Sequence, residues 1–220
     1  MSFSQSTAFE LSCQFCKEFG DNLFPIEFVR NCDIVNREID RSNSFIAIPS
    51  ISPISKGHVL IAPKDHVTSM MQIDDSVVDE LVSFVNTIVD SIAVNFKTPI
   101  IFEHGVGKGK AGGCGVDHAH LHILPIDEEI VSRLLFIINR EFHLVQTSSL
   151  QDFIRGGDSI KSYLLFGNSL REMFFSYSDQ IPSQYLRRVI SKEVGNRFWD
   201  WKKLYGWVDF INTFEVLAKP

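Results

Sequence analysis

Apolar and polar positions follow two different periods along the chain. From Val77 to Phe96 apolar residues recur at three- and four-residue spacing, interrupted by Asp79, Glu80, Asn86 and Asp90. Asp74-Asp75-Ser76 stands just before them, so the spacing predicts a helix over 77–96 with acidic residues at its positive end. Residues Asp127 to Arg140 repeat the helical spacing. Short β-rich runs bounded by turn residues predict strands instead: Ile26 to Arg30, Ser44 to Ile48, His58 to Ala62 before Pro63, Pro99 to Glu103, and Asp117 to Leu124 before Pro125. Two connections are conspicuous, the Ser/Pro/Gly segment Ser50 to Gly57 and the glycine-rich loop Gly105 to Gly115.

The pattern changes after residue 145. Ser162 to Phe166 and Glu172 to Tyr177 predict a hairpin around Gly167-Asn168. Pro182-Ser183-Gln184 opens a helix that runs to about Val194, and a Trp-rich segment with Trp199, Trp201 and Trp207 follows. The expected fold class is α+β: an antiparallel sheet with flanking helices over 1–145, then an α/β C-terminal extension over 146–220.

Composition narrows the function. The chain has 220 residues, 45% hydrophobic and 22% charged, enough to bury a core without disulfides. A net charge of -6 argues against a broad nucleic-acid surface but leaves room for a local basic phosphate pocket. The charged residues inside the 77–96 window argue against a membrane span. The start, MSFSQSTAFE, lacks the basic end and apolar stretch of a signal peptide, so a cytoplasmic protein is the expectation. In that compartment Cys13-Gln14-Phe15-Cys16, in a turn-like segment ending at Gly20, reads as a metal or redox pair.

The chemistry concentrates in His118-Ala119-His120-Leu121-His122, which holds three of the chain's seven histidines. On a strand, side chains two apart share a face at about 7 Å, so the imidazoles line one surface while Ala119, Leu121 and Ile123 face the core. The glycine-rich loop just before them can bring backbone N–H groups to a phosphate. A bare metal site would account for the histidines but not for that loop.

The run His118-Ala119-His120-Leu121-His122-Ile123-Leu124 resembles the signature of the histidine triad (HIT) family, a histidine and a hydrophobic residue alternating three times. The resemblance extends through Phe102-Glu103-His104-Gly105, through Gly57 to His66, and to Cys13-Gln14-Phe15-Cys16, covering roughly residues 10–125. It implies a nucleotide hydrolase working through a nucleotidyl-histidine intermediate at an α-phosphate. The substrate would be a dinucleoside polyphosphate, a nucleoside phosphoramidate or a nucleotidyl conjugate. His120 would be the nucleophile and His122 would contact the phosphoryl oxygens or the leaving group. His58 would support the site, and backbone N–H groups around Gly113 to Gly115 would bind the phosphoryl oxygens. The resemblance also implies a structural zinc held by Cys13, Cys16, His66 and His118, and a homodimer that the extension could block or replace. A nucleotidyltransferase or phosphorylase, and a nucleotide-binding protein without useful turnover, are the competing readings. A histidine at 122 favours the hydrolase branches.

Several positions depart from the family pattern. Ser50 stands where relatives place Asp or Asn for the ribose hydroxyls, and Gly115 where many carry Ser or Gln. Glu103 is either a polar site residue or an ordinary strand-end carboxylate. His104 and His143 read as surface or locally satisfied histidines, and Cys32 and Cys114 as plain small residues. On the helix after Pro182, Gln184 and Arg188 share a face and are the candidates for reaching a phosphate from the extension. Trp199 and Trp201 read as core.

Overall fold

A computed structural model describes residues 13–218 apart from 22, 26, 28–31, 111–114 and 170–171. Helix α1 (Gln14–Asp21) is followed by β1 (Asp40–Arg41), β2 (Phe45–Pro49) and β3 (Val59–Pro63). Helix α2 (Val78–Asn95) then leads to β4 (Pro99–Gly105), β5 (Leu121–Pro125) and α3 (Glu128–Phe142). Beyond these lie β6 (Val145–Thr147), α4 (Leu150–Gly156), β7 (Tyr163–Ser169), β8 (Glu172–Tyr177), α5 (Tyr185–Glu193) and α6 (Trp207–Leu217).

The strands form one antiparallel sheet in the order β1-β2-β3-β5-β4-β7-β8-β6. Side-chain alternation divides it into two faces. Ala47, Val59, Ile61, Ile101, Leu121, Ile123 and Leu165 point to one face, where α2 lays down Val78, Leu81, Val85, Ile88 and Ile92 and α4 adds Leu150 and Phe153. The spacing of the α2 residues is the three-and-four period visible in the sequence. Just before this helix, Asp74 accepts the Ser76 backbone N–H at 2.9 Å. On the opposite face, α3 and α5 cover Ile100, Phe102, Leu124, Leu164 and Phe166. The rest of that face, Ile46, Ile48, Leu60 and Ala62, is capped by Phe15 of α1. The functional site lies between these two coverings.

Three elements differ from the sequence reading. The segment carrying Cys13 and Cys16 is helical from Gln14: Phe15 and Phe19, four residues apart, share a face that packs on the sheet. The strand of the histidine run starts only at Leu121. Before it, the Ala119 N–H bonds to Val67 O at 2.7 Å, outside the ladder, and the His118 carbonyl is taken by a side chain. Third, the sheet continues past residue 145, because β7 pairs along β4 from Ile101↔Gly167 to Gly105↔Tyr163. The hairpin around Gly167-Asn168 is present as β7 and β8. The expected strand Ile26 to Arg30 falls outside the described residues except Glu27, which is helical.

Candidate functional site

The sheet register places the site. His122 on β5 pairs with Leu60 of β3 on one side and Phe102 of β4 on the other. Phe102 stacks on it with ring centroids 4.3 Å apart and planes 4° from parallel. His118, His120 and His122 are all buried, at 1%, 7% and 2% exposure, so the run forms the floor of a site, not an open polar face. Buried imidazoles need partners. Their hydrogen bonds fix which nitrogen carries each proton.

The fixed ends of the network settle the tautomers. The Ile54 backbone N–H can only donate, so His58 Nδ1, 3.2 Å away, accepts. His58 therefore carries its proton on Nε2 and donates to His122 Nδ1 at 2.9 Å. That leaves the proton of neutral His122 on Nε2, a buried atom with no partner among the described residues. The His118 carbonyl can only accept, so His120 carries its proton on Nδ1, 2.7 Å from that oxygen, and keeps a lone pair on Nε2. The His120 and His122 rings lie 4.8 Å apart. One nitrogen with a lone pair and one N–H donor thus stand on neighbouring rings.

Burial holds these rings neutral. It pushes His120 down to about 4, with the positive charge of Arg187 adding to the shift and the bond to the His118 carbonyl opposing it. Burial also drives His58 and His122 well below the ordinary histidine range, assisted by neighbouring positive charges including Arg187.

A cavity lies over His120 and His122. Its apolar walls include Phe15, Ile51, Leu60, Val116 and Trp201, and its polar lining includes Gln14, Ser50 and the pair Glu18–Arg37. Arg37 donates to both Glu18 oxygens, at 2.6 and 2.8 Å, and to Pro49 O at 2.9 Å. Such a cavity, apolar with a few convergent polar groups, suits a small organic ligand.

Beside it, Cys13, Cys16, His66 and His118 bring one ligand atom each within 4.8 Å of one another. Cys13 Sγ and Cys16 Sγ lie 3.4 and 3.5 Å from His118 Nδ1, and Cys16 Sγ lies 3.2 Å from His66 Nδ1. Four N/S ligands about 2.0–2.3 Å from one ion stand roughly 3.3–3.8 Å apart in a tetrahedron, so the cluster fits a tetrahedral metal. His118 Nε2 lies 2.8 Å from Pro63 O. That carbonyl takes the ring's proton and turns Nδ1 to the thiols, as an outer partner of a metal-bound histidine does.

The remaining expected site residues separate. Ser50 is buried and lines the cavity. His58 does not line it: both its nitrogens are committed, and it acts from behind His122. Gly115, at φ +91°, sits against Lys202 and Trp201, where a Cβ would come within 2.7 Å of Lys202 Cε. Gly113 and Cys114 lie outside the described residues. Gln184 and Arg188 do not reach the cavity. Gln184 is the left-handed cap before α5, its side chain bonded to Asp200 at 3.1 Å and to the Trp201 N–H at 3.2 Å. The helix proper starts at Tyr185, which turns Arg187 inward and leaves Arg188 exposed. Arg187 and Trp201 also line the cavity; spacing after Pro182 does not separate Arg187 from Arg188, and a helix phase counted from Tyr185 does.

His104 is buried, not a surface histidine; its Nδ1 has no partner among the described residues, and burial pushes it down to about 4. The pairing Phe102↔His122 puts it two residues along the same face. His143 is the exposed left-handed cap of α3. Glu103 points to the other face, where it accepts the Met70 N–H at 3.0 Å and the Tyr163 hydroxyl.

Comparisons with known proteins identify the family. The HIT domain family model matches residues 34–129. The chain is 31% identical to an uncharacterised HIT-like protein of Methanocaldococcus jannaschii over 100 residues, 43% of this chain and 75% of that protein. It is 27% identical to a Schizosaccharomyces pombe protein named adenosine 5'-monophosphoramidase over 119 residues, 54% of this chain and 77% of that one. A zinc-bound histidine triad family protein from Mycobacterium smegmatis is similar at 22% identity and TM-score 0.40, covering 54% of this chain and 78% of that chain. The chain belongs to the histidine triad (HIT) family. No described helix is long and apolar enough to cross a membrane.

Proposed function

We propose that this protein is a nucleotide hydrolase that works through a nucleotidyl-histidine at His120. The observation that carries the reading is the pair of fixed tautomers, a lone pair on His120 Nε2 beside an N–H on His122 Nε2. His120 Nε2 attacks the α-phosphorus and forms the N–P bond, while the bond to the leaving group breaks and its electron pair departs with that group, an amine leaving with a proton taken up from solvent. His122 Nε2–H hydrogen-bonds the phosphoryl oxygens or the leaving atom as charge builds there. Water then attacks phosphorus, the N–P bond breaks, its pair returns to His120 Nε2, and the proton lost by water passes to solvent. A histidine held neutral needs no prior deprotonation to attack at pH 7.

The nucleoside would occupy the apolar part of the cavity, with Ser50 as the hydroxyl partner of the ribose. The name of the fission-yeast relative makes a nucleoside phosphoramidate the first substrate class to assay. Cys13, Cys16, His66 and His118 would hold a structural zinc. Its place is in the architecture: it would tie α1, which brings Phe15 within 5.7 Å of the His120 ring, to the segment that carries His120. Residues 146–220 act as an extension that closes the site. Asn196 Nδ2 donates to Ile54 O at 2.6 Å, Ser52 Oγ to Phe198 O at 3.1 Å, and Gly206 N–H to Ile51 O at 3.0 Å.

The test is turnover of adenosine phosphoramidate and of diadenosine polyphosphates, with and without added phosphate. Release of AMP, abolished in His120→Ala, is the expected result. Transfer to phosphate would instead make the protein a phosphorylase, and binding without turnover would make it a nucleotide-binding protein.

A further inference from the structure

We infer that Trp201, supplied by the C-terminal extension, is the residue on which the nucleobase of the substrate stacks. The inference rests on the nucleotide reading above. Apart from the histidines, Phe15 and Trp201 are the aromatic side chains among the described residues that line the cavity over His120 and His122. Phe15 is 5% exposed, and its ring is already set edge-on against His118 and His120, with centroids 5.6 and 5.7 Å apart. Trp201 is half-buried. It lines this cavity and also the neighbouring cleft with Cys13, His66 and Asp117, so it stands where the two meet.

The fold holds this indole at its backbone and at its edge. Gln184 Oε1 accepts the Trp201 backbone N–H at 3.2 Å, and Gln184 Nε2 donates to Asp200 at 3.1 Å. The Asp200 carbonyl accepts the N–H groups of Lys203 and Leu204 at 3.1 and 3.0 Å, which closes the turn that carries Trp201. The ring edge lies on Gly115, where a Cβ would come within 3.2 Å of Trp201 Nε1. Core packing alone does not call for a half-buried indole here. Phe24, Ile51 and Phe210 already form a buried cluster, with Phe24 and Phe210 stacked at 5.6 Å, and Trp201 borders it from outside. What an indole adds to a cavity wall is a broad flat π surface, and stacking of a base needs that surface and no particular hydrogen bond. His120 and Ser50 share the same lining. In the reading above they meet the phosphorus and the ribose, so the base is the part of the nucleotide that falls to Trp201.

The experiment uses the full chain and two probes, AMP and ribose 5-phosphate, which differ by the base, with binding followed by calorimetry. AMP should bind wild type about tenfold or more tightly than ribose 5-phosphate. Trp201→Ala should weaken AMP by about fivefold or more while ribose 5-phosphate changes by no more than about twofold, and Trp201→Phe, which keeps a ring, should restore most of the loss. Unchanged AMP affinity in folded Trp201→Ala overturns the role of Trp201 and leaves the nucleotide reading standing. An equal loss for ribose 5-phosphate also overturns it, because a residue that only shapes the cavity would weaken both probes. No binding of AMP to wild type overturns both readings. If Trp201→Ala does not fold, the wild-type protein decides: the indole N–H NMR signal of Trp201, identified by its absence from Trp201→Phe, should shift with AMP and not with ribose 5-phosphate. No shift with AMP, or an equal shift with ribose 5-phosphate, contradicts the proposal.

Discussion

Glu103 sits on β4 directly behind the histidine floor, and replacing it by Gln tests whether that carboxyl is an uncharged core acid. Burial raises it from 4.5 to about 8, against the opposing bonds from the Tyr163 hydroxyl and the Met70 N–H. Between those two values the unfolded chain has lost this proton and the folded protein has kept it. Stability therefore falls as pH rises through the window: the contribution is complete below about 4.5 and gone above about 8. The slope is about 1.4 kcal/mol per pH unit, and over the whole interval the change is on the order of 5 kcal/mol. Gln keeps the shape, presents a carbonyl to one donor, and does not titrate; the Tyr163 hydroxyl can turn to accept from its amide. Denaturant unfolding of both proteins at pH 5, 6, 7 and 8 measures the effect as a difference, in which the titration of other groups cancels. Glu103→Gln should gain on wild type steadily toward pH 8 and retain turnover. Parallel stability profiles, or loss of turnover in a folded variant, would refute the uncharged-acid reading and return Glu103 to the candidate catalytic groups.

Other outcomes follow from the same geometry. Elemental analysis of protein purified without chelator should find about one zinc per chain. Chelation should lower the melting temperature without complete unfolding, because a core shares the work that in isolated zinc peptides is worth about 10–16 kcal/mol. His58→Ala strands the Ile54 N–H and His122 Nδ1, two buried groups that each cost about 1–3 kcal/mol unsatisfied; it should lower kcat more than it changes KM, and unchanged kcat would dismiss the tautomer chain. Arg188→Ala should leave stability within about 0.5 kcal/mol and kinetics unaltered, as expected of an exposed side chain. Gln184→Ala should destabilise by about 1–3 kcal/mol by removing its bonds to Asp200 and to the Trp201 backbone N–H, measured by thermal melts.

Much of the sheet is legible in the sequence because strands buried on both faces leave short continuous β-rich runs stopped by turn residues, while one-sided burial writes period 3.6 into helices. Val59–Pro63, Val78–Asn95, Glu128–Phe142 and the β7–β8 hairpin follow directly from these patterns. The histidine run and the Cys13–Cys16 pair are equally visible, since few roles need those residues at those spacings. What local pattern cannot show is the pairing of β7 with β4, which joins positions about 60 residues apart and carries the sheet into the extension. Nor does it show that His58 stands behind His122, because that depends on a bond to the Ile54 N–H across a loop. The choice between Arg187 and Arg188 turns on a single backbone conformation, the left-handed Gln184 at φ 57°, which sets the phase of the helix that follows. Gln184 is a residue type whose sequence gives no warning of that conformation.

The central claim is that His120 becomes covalently nucleotidylated. The direct measurement incubates wild-type and His120→Ala protein with labelled adenosine phosphoramidate, stops the reaction at alkaline pH, and looks for an acid-labile adenylyl group on the protein by mass spectrometry. The account predicts an adduct on wild type at His120 that turns over to AMP, and none on the variant. Undiminished AMP release by the variant, or an adduct that persists when His120 is gone, would contradict it.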